Sequence, residues 1–266
     1  EEEIKMAHET RFLRNKDLIK QNKLDLIGIV GLGGIGSFLI QSLAIMGWRD
    51  LFGWDNDVIE AHNLSSTAYP VKSVGEKKTD AAKELFANYS EGWQGIATAG
   101  NFTDENIPYP KQIVCTDNME SRKMVYEKWK KQLKKRHPRE LFEDSFFIDL
   151  RMGATSVEMI TVTPDNDNYM DHWVPSYDIP PAPCSMKHTV FAAQYIAALG
   201  ISQVYNLVAG LAYYDYIWTS LNPNMVKFGT LIIPKIEEVL DDRSEESKHR
   251  LDGNAVRTDL SHYRSA

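Results

Sequence analysis

The amino-acid sequence predicts an α/β fold built on a doubly wound, mostly parallel sheet. Three observations carry that prediction. Short apolar runs alternate with segments of helical apolar spacing, which is the pattern of strand–helix–strand units. The first apolar run is followed at once by Gly31-Leu32-Gly33-Gly34-Ile35-Gly36 and then by a helical stretch. The second run ends on Asp55, nineteen positions after Gly36.

Taken in order, residues 4–24 read as a charged N-terminal helix. Residues 26–30 are a short apolar run of the kind found in buried parallel strands. Residues 37–46 have helical spacing, and residues 51–54 form a second strand ending at Asp55. Residues 77–89 read as a helix, 95–100 as a weak strand, 112–116 as a strand and 120–135 as a long helix. Two further strands follow at 146–150 and 157–162. Residues 164–186 hold five prolines among many Asp, Asn and Tyr residues and read as a long loop, and long ordered loops are usually functional. From Thr189 to Tyr214 no charged residue occurs. That length could span a bilayer. Gln194, Ser202, Gln203 and Asn206 near its middle favour two buried helices joined at Gly200-Ile201-Ser202. Residues 228–233 are the expected last strand. Residues 1–240 are thus expected to form a single domain, with 241–266 as a polar tail.

Composition narrows the classes. The chain has 266 residues, 43% hydrophobic and 25% charged, enough for one large core. Thirty basic against thirty-seven acidic residues give a net charge of −7, which argues against a whole-chain nucleic-acid surface. Residues 122–139 nevertheless hold nine Lys or Arg, a solvated helix face or a docking site for an acidic partner or RNA. The two cysteines, Cys115 and Cys184, exclude a disulfide framework and a four-cysteine zinc site. The start Glu1-Glu2-Glu3 is the opposite of a basic signal-peptide start, so the cytoplasm is the expected location and no membrane partner is expected.

The glycine-rich turn between a strand and a helix is an anion cradle. Glycines permit the tight turn and close backbone approach, and the helix start supplies N–H donors. Asp55 is placed to accept hydrogen bonds from ribose hydroxyls. To this point NAD fits as well as ATP. Lys78 in Gly75-Glu76-Lys77-Lys78 and Asp117 in Cys115-Thr116-Asp117-Asn118 tilt the choice. A triphosphate needs a lysine against its outer oxygens and a carboxylate for Mg2+.

These segments, together with Asp55-Asn56-Asp57, Asn63-Leu64 and Arg122, resemble the ThiF/MoeB/HesA family, which includes the adenylation domains of ubiquitin-like-protein-activating enzymes. Arg11-Phe12-Leu13-Arg14-Asn15 and Asp149-Leu150-Arg151-Met152-Gly153 resemble further family segments. The resemblance implies a Rossmann-like ThiF-type adenylation fold with a crossover loop at 164–186. It implies ATP and Mg2+ as cofactors, with Asp55 on the ribose and Asn63 and Lys78 on the phosphates. Gly31, Gly33, Gly34, Gly36, Asp57 and Asn118 complete the nucleotide site, Asp117 is the metal ligand, and Arg14 reaches a partner subunit's ATP in a homodimer. Most members carry an arginine where this chain has Ser66.

Cys115 reads as a small hydrophobe in a strand. Cys184 ends the proline-rich loop ahead of a helix expected to begin near Met186, beside Lys187 and His188. A thiol there is expected to be acidic. Cys184-Ser185-Met186-Lys187-His188-Thr189 resembles the segment around the thioester cysteine of ubiquitin-like-activating enzymes. The expected function is ATP-dependent adenylation of the C-terminal carboxylate of a ubiquitin-like or sulfur-carrier protein ending in glycine. Thioester formation on Cys184 and hand-over to a conjugating enzyme would follow. Two alternatives stay open. One is an adenylate-only enzyme acting on a sulfur carrier, a peptide or tRNA; the other is a non-catalytic nucleotide-binding scaffold.

Overall fold

The computed structural model describes residues 10–15, 17–24, 26–90, 97–135, 144–179 and 188–234. The compact unit that carries the sheet runs to Ile233. Among the described residues its strands are β1 (Ile27–Val30), β2 (Leu51–Asp55), β3 (Ala97–Ala99), β4 (Lys111–Val114), β5 (Phe146–Met152), β6 (Ser156–Val162), β7 (Tyr213–Tyr214), β8 (Tyr216–Leu221), β9 (Asn224–Phe228) and β10 (Leu231–Ile232). The helices are α1 (Gly34–Met46), α2 (Lys78–Ala87), α3 (Met119–Lys135) and α4 (Val190–Val208).

Eight strands form one sheet in the order β3-β2-β1-β4-β5-β6-β8-β9, while β7 and β10 pair separately. From β3 to β5 every pairing is parallel. From β5 to β9 every pairing is antiparallel. The strand order reverses direction at β1, where β2 and β4 lie on either side. In open α/β sheets ligands bind outside the carboxyl ends of the strands at such a switch point.

Both faces are covered, which is why β1 and β4 are buried throughout. On one face Leu39, Leu43, Trp48, Leu85, Phe86 and Ile196 join a core under α1, α2 and α4. On the other, Trp54, Phe102, Val125, Trp129 and Phe147 pack beneath α3. Burying each large apolar side chain contributes roughly 1.5–3 kcal/mol, so the two cores hold the sheet from both sides.

Three expectations are corrected. Where they are described, residues 11–24 are turns and a short 3-10 helix at Gln21–Lys23 instead of helix, while residues 4–9 of the expected helix lie outside the described residues. The described segment is held by capping: Arg11 donates to the carbonyls of Ala44, Ile45 and Tyr89, and Gln21 Nε2 donates to Met46 O at 3.1 Å. The carbonyls of Ala44, Ile45 and Met46 lie in the last turn of α1, where helix carbonyls run short of intrahelical partners, and Tyr89 follows the end of α2. Second, the uncharged stretch holds one continuous helix, α4, with Gly200 in its interior, and ends in β7. Gly200 does not break the helix; it lets the helix approach the sheet, since a Cβ there would lie 2.7 Å from Leu150 Cδ1. Third, the expected last strand is divided between the end of β9 and β10, and the aromatic run 213–218 supplies β7 and the start of β8. The weak strand expected at 95–100 is β3, and the crossover loop carries two 3-10 turns at Tyr169–Asp171 and Ser176–Asp178. No described helix is long and apolar enough to cross a membrane.

Candidate active site

The glycine turn leaves β1 at its carboxyl end. Gly31 has φ +96°, a left-handed value that a side chain rarely adopts. A Cβ there would also lie 2.8 Å from the backbone of Cys115. A Cβ on Gly36 would run into the carbonyl oxygen of Gly31. Gly34 lies against Ser66 O, 3.0 Å from where its Cβ would be. The turn is therefore closed tightly on itself, on β4 and on the segment after Leu64.

Asp55 ends β2 and is engaged twice. Its Oδ2 accepts the N–H of Leu32 at 2.7 Å, and its Oδ1 accepts the N–H of Asp57 at 2.9 Å. Lys78 is the first residue of α2. Its Nζ lies 2.6 Å from Asp57 Oδ2 and 3.6 Å from Asp55 Oδ1. A Cβ on Gly33 would sit 3.7 Å from the same ammonium. Gly31, Gly33, Gly34, Gly36, Asp55, Asp57 and Lys78 thus form one cluster at the switch point. A lysine held between two carboxylates beside a glycine turn is a cation poised to exchange partners for an anionic ligand.

Other expected residues take additional tasks. Asn63 Oδ1 accepts the N–H of Glu60 at 2.9 Å, one half of a reciprocal cap on the 3-10 turn Ala61–Ser65. Asn118 Oδ1 accepts the N–H of Ser121 at 2.8 Å and so caps α3. Asp117 is exposed on the turn between β4 and α3. Among the described residues no group of three His, Cys, Asp or Glu side chains could hold a metal. A lone carboxylate fits a Mg2+ ion that takes its remaining ligands from phosphate and water, as such ions usually do. Arg14 is exposed on the N-terminal turn.

Cys115 lies just past β4, where its thiol donates to Gly31 O at 3.0 Å. Burial pushes it up to about 12, with Asp55 and Asp149 adding to the effect and Arg122 opposing it; the thiol serves as a packing group under the glycine turn. Cys184 lies outside the described residues. The helix expected near Met186 instead begins at Val190, capped by Thr189.

Two features escaped the sequence reading. One is Tyr69, buried, whose hydroxyl donates to Leu32 O at 2.6 Å. The other is the full set of bonds around Asp149, which is inaccessible to solvent. Arg122 Nη1 donates to its Oδ1, while Arg151 Nε at 2.9 Å and the Tyr169 hydroxyl at 3.0 Å donate to its Oδ2. Arg122 also donates to Thr116 O, and Arg151 to His172 O at 2.8 Å. The network ties β5, α3 and the crossover segment together beside the Thr116–Asn118 turn. A charge inside the apolar run 146–150 was the available signal, because a buried carboxylate must be paired.

Fold and site together define a class: a doubly wound domain with a glycine turn, a lysine and acidic residues gathered at the switch point. Residues 15–136 match the family model described as the ThiF family, and the resemblance read from the motifs stands. The ubiquitin-like modifier-activating enzyme 5 of Dictyostelium discoideum is 30% identical over 114 residues, covering 36% of this chain and 30% of that protein. The chain therefore spans under a third of the length of that curated relative. Among solved structures, PaaA superposes with a TM-score of 0.62 at 15% identity, covering 88% of this chain and 75% of PaaA. E. coli MccB with ATP superposes at 0.61 and 17% identity, covering 85% and 72%. These two likenesses show the fold.

Proposed function

We propose that the protein is an ATP-dependent adenylyltransferase that activates the C-terminal carboxylate of a ubiquitin-like or sulfur-carrier protein. The observation that carries this reading is the Lys78 ammonium beside Gly33 at the mouth of the glycine turn, with Asp55 a step away. The relatives support it: one activates a ubiquitin-like modifier by name, and MccB has been solved with ATP and with MccA. In the reaction a carboxylate oxygen of the carrier attacks the α-phosphorus and the bond from that phosphorus to the bridging oxygen breaks. Pyrophosphate leaves and an acyl adenylate remains. The N–H groups at the start of α1 and the Lys78 ammonium stabilise charge on the phosphates, and Asp55 orients the ribose. Asn63, Asp57 and Asn118 border the same site. Asp117 would hold Mg2+, which when bound neutralises the departing pyrophosphate. Arg14 would reach the ATP of a second copy.

In the fuller version the Cys184 thiolate attacks the acyl carbon, AMP leaves, and a conjugating enzyme then takes the thioester. In the adenylate-only version the acyl adenylate of a carrier or peptide is itself the product handed on, and Cys184 takes no part. ATP–pyrophosphate exchange with a glycine-terminated carrier tests the common core. Asp117→Ala should lose exchange by at least about a hundredfold while melting as the parent does. Normal exchange in that variant would remove Asp117 from the metal site. Cys184→Ala should keep exchange in both versions and should lose a reductant-sensitive carrier adduct only if the thioester forms.

A further inference from the structure

Two consecutive peptide planes shape the glycine turn, and they are held differently. A trans peptide points its C=O and the following N–H in opposite directions. In the Gly31–Leu32 plane both ends are bound: Gly31 O accepts the Cys115 thiol at 3.0 Å, and the Leu32 N–H donates to Asp55 at 2.7 Å. In the Leu32–Gly33 plane the C=O is bound by the Tyr69 hydroxyl at 2.6 Å. The opposite end, the Gly33 N–H, donates to no group among the described residues. Resting on the adenylation reading above, we propose that Tyr69 is a positioning residue for the nucleotide's phosphates. Its hydroxyl draws the Leu32 carbonyl inward, and so presents the Gly33 N–H to a phosphate oxygen beside the Lys78 ammonium.

Three further observations fit. The Tyr69 hydroxyl also lies 3.5 Å from Lys78 O, so it stands between the glycine turn and the first residue of the helix bearing the lysine. The ring is 5% exposed, which fixes its position. Burial foremost, with Asp55 and Cys115, raises the hydroxyl well above its ordinary pKa, so it remains a donor. The stretch just before Tyr69 braces the same turn. The Ser37 hydroxyl accepts the N–H of Ala68 at 2.9 Å and donates to Gly34 O at 2.9 Å. In this chain the segment that departs from the family pattern at Ser66 supports the cradle from below.

Tyr69→Phe removes only the hydroxyl. Titration with ATP in Mg2+ and, separately, with adenosine distinguishes positioning from general loosening. The variant should bind ATP about three- to tenfold more weakly, the size of one lost hydrogen bond, and adenosine as the parent does. In pyrophosphate exchange the loss should fall on the KM for ATP and not on kcat. Equal ATP affinity in both proteins, or equal weakening for adenosine, overturns the role of Tyr69. Failure of the parent itself to bind ATP overturns the adenylation reading and the proposal with it. A second measurement needs no variant: in the parent, ADP should shift the Gly33 amide resonance and adenosine should not. A Gly33 amide that ADP leaves unmoved, in a protein that binds ADP, overturns the proposal.

Discussion

Asp149 is a carboxylate with no access to water, and its charge is tolerable only because two guanidinium groups and a phenol surround it. Such an arrangement adds little net stability over an apolar one, but removing one member strands the others. Asp149→Ala should therefore cost about 3–5 kcal/mol, read as a lower urea midpoint. A loss under about 1 kcal/mol would mean that Arg122 and Arg151 reach other acceptors or water. The residues of the glycine turn, Asp55 and Lys78 were legible in the sequence because their types and spacing carry the chemistry. Tyr69 was not, since a tyrosine between Ala68 and Pro70 carries no local signal. Its importance arises when the fold brings Leu32 to its hydroxyl. Asn63 and Asn118 stand out in the sequence by their motifs, but their capping bonds depend on backbone turns that single residues do not announce.

Among the elements, α4 gives the sharpest contrast between sequence and structure. Gly200-Ile201-Ser202 reads as a joint because glycine weakens a helix by about 1 kcal/mol. The structure keeps the helix whole because that glycine is where it meets Leu150. Gly200→Ala should consequently destabilise by about 1–3 kcal/mol through overpacking, less up to about 1 kcal/mol regained in helix propensity. A stabilised variant in thermal melts would show that the contact yields freely. The parallel strands were legible as apolar runs flanked by turn residues. β8 and β9 were not, because their sequences mix aromatic and polar residues and β9 is exposed along its whole length. The crossover segment is fastened to α3 by Asp167, which accepts from the Tyr126 hydroxyl at 2.8 Å and pairs with Lys130. Burial pushes the Asp167 carboxyl up, but the bonds from Lys130 and Tyr126 outweigh it and hold the carboxyl below its ordinary value. A depressed carboxyl contributes stability above its unfolded pKa and loses it as pH falls through the folded one. The gap in urea midpoint between the parent and Asp167→Asn should thus be constant at pH 5–7 and close below about pH 4. A gap that persists at pH 3 would assign the effect to packing instead.

At the scale of the whole molecule, the proposed chemistry calls for two copies, because Arg14 lies on the N-terminal turn and the family resemblance gives it a partner's ATP to reach. Val190, Phe191 and Tyr195 leave an apolar strip exposed along the start of α4, a surface suited to such a contact. Light scattering should give twice the chain mass at micromolar concentration, and a stable contact should bury more than about 1,000 Å². Arg14→Ala should lose exchange while remaining dimeric. A monomer that is fully active would remove both the contact and the donated arginine.

The position of β4 beside β1 has a consequence for the order in which the chain assembles. β5 and β6 form a hairpin, and β8 and β9 form another, each closing a short loop. Ile29, by contrast, must find Ile113 across most of the first half of the chain, and closing a long loop is slow because its entropy cost comes before any reward. Until β4 docks, Gly31 O lacks the Cys115 thiol, and the glycine turn leans only on β2 and on the segment from Ser66 to Lys78. The finished cradle is therefore a late product of folding: a nascent chain emerging N-terminus first carries the glycine motif and Lys78 well before β4 arrives to close the turn from its other side.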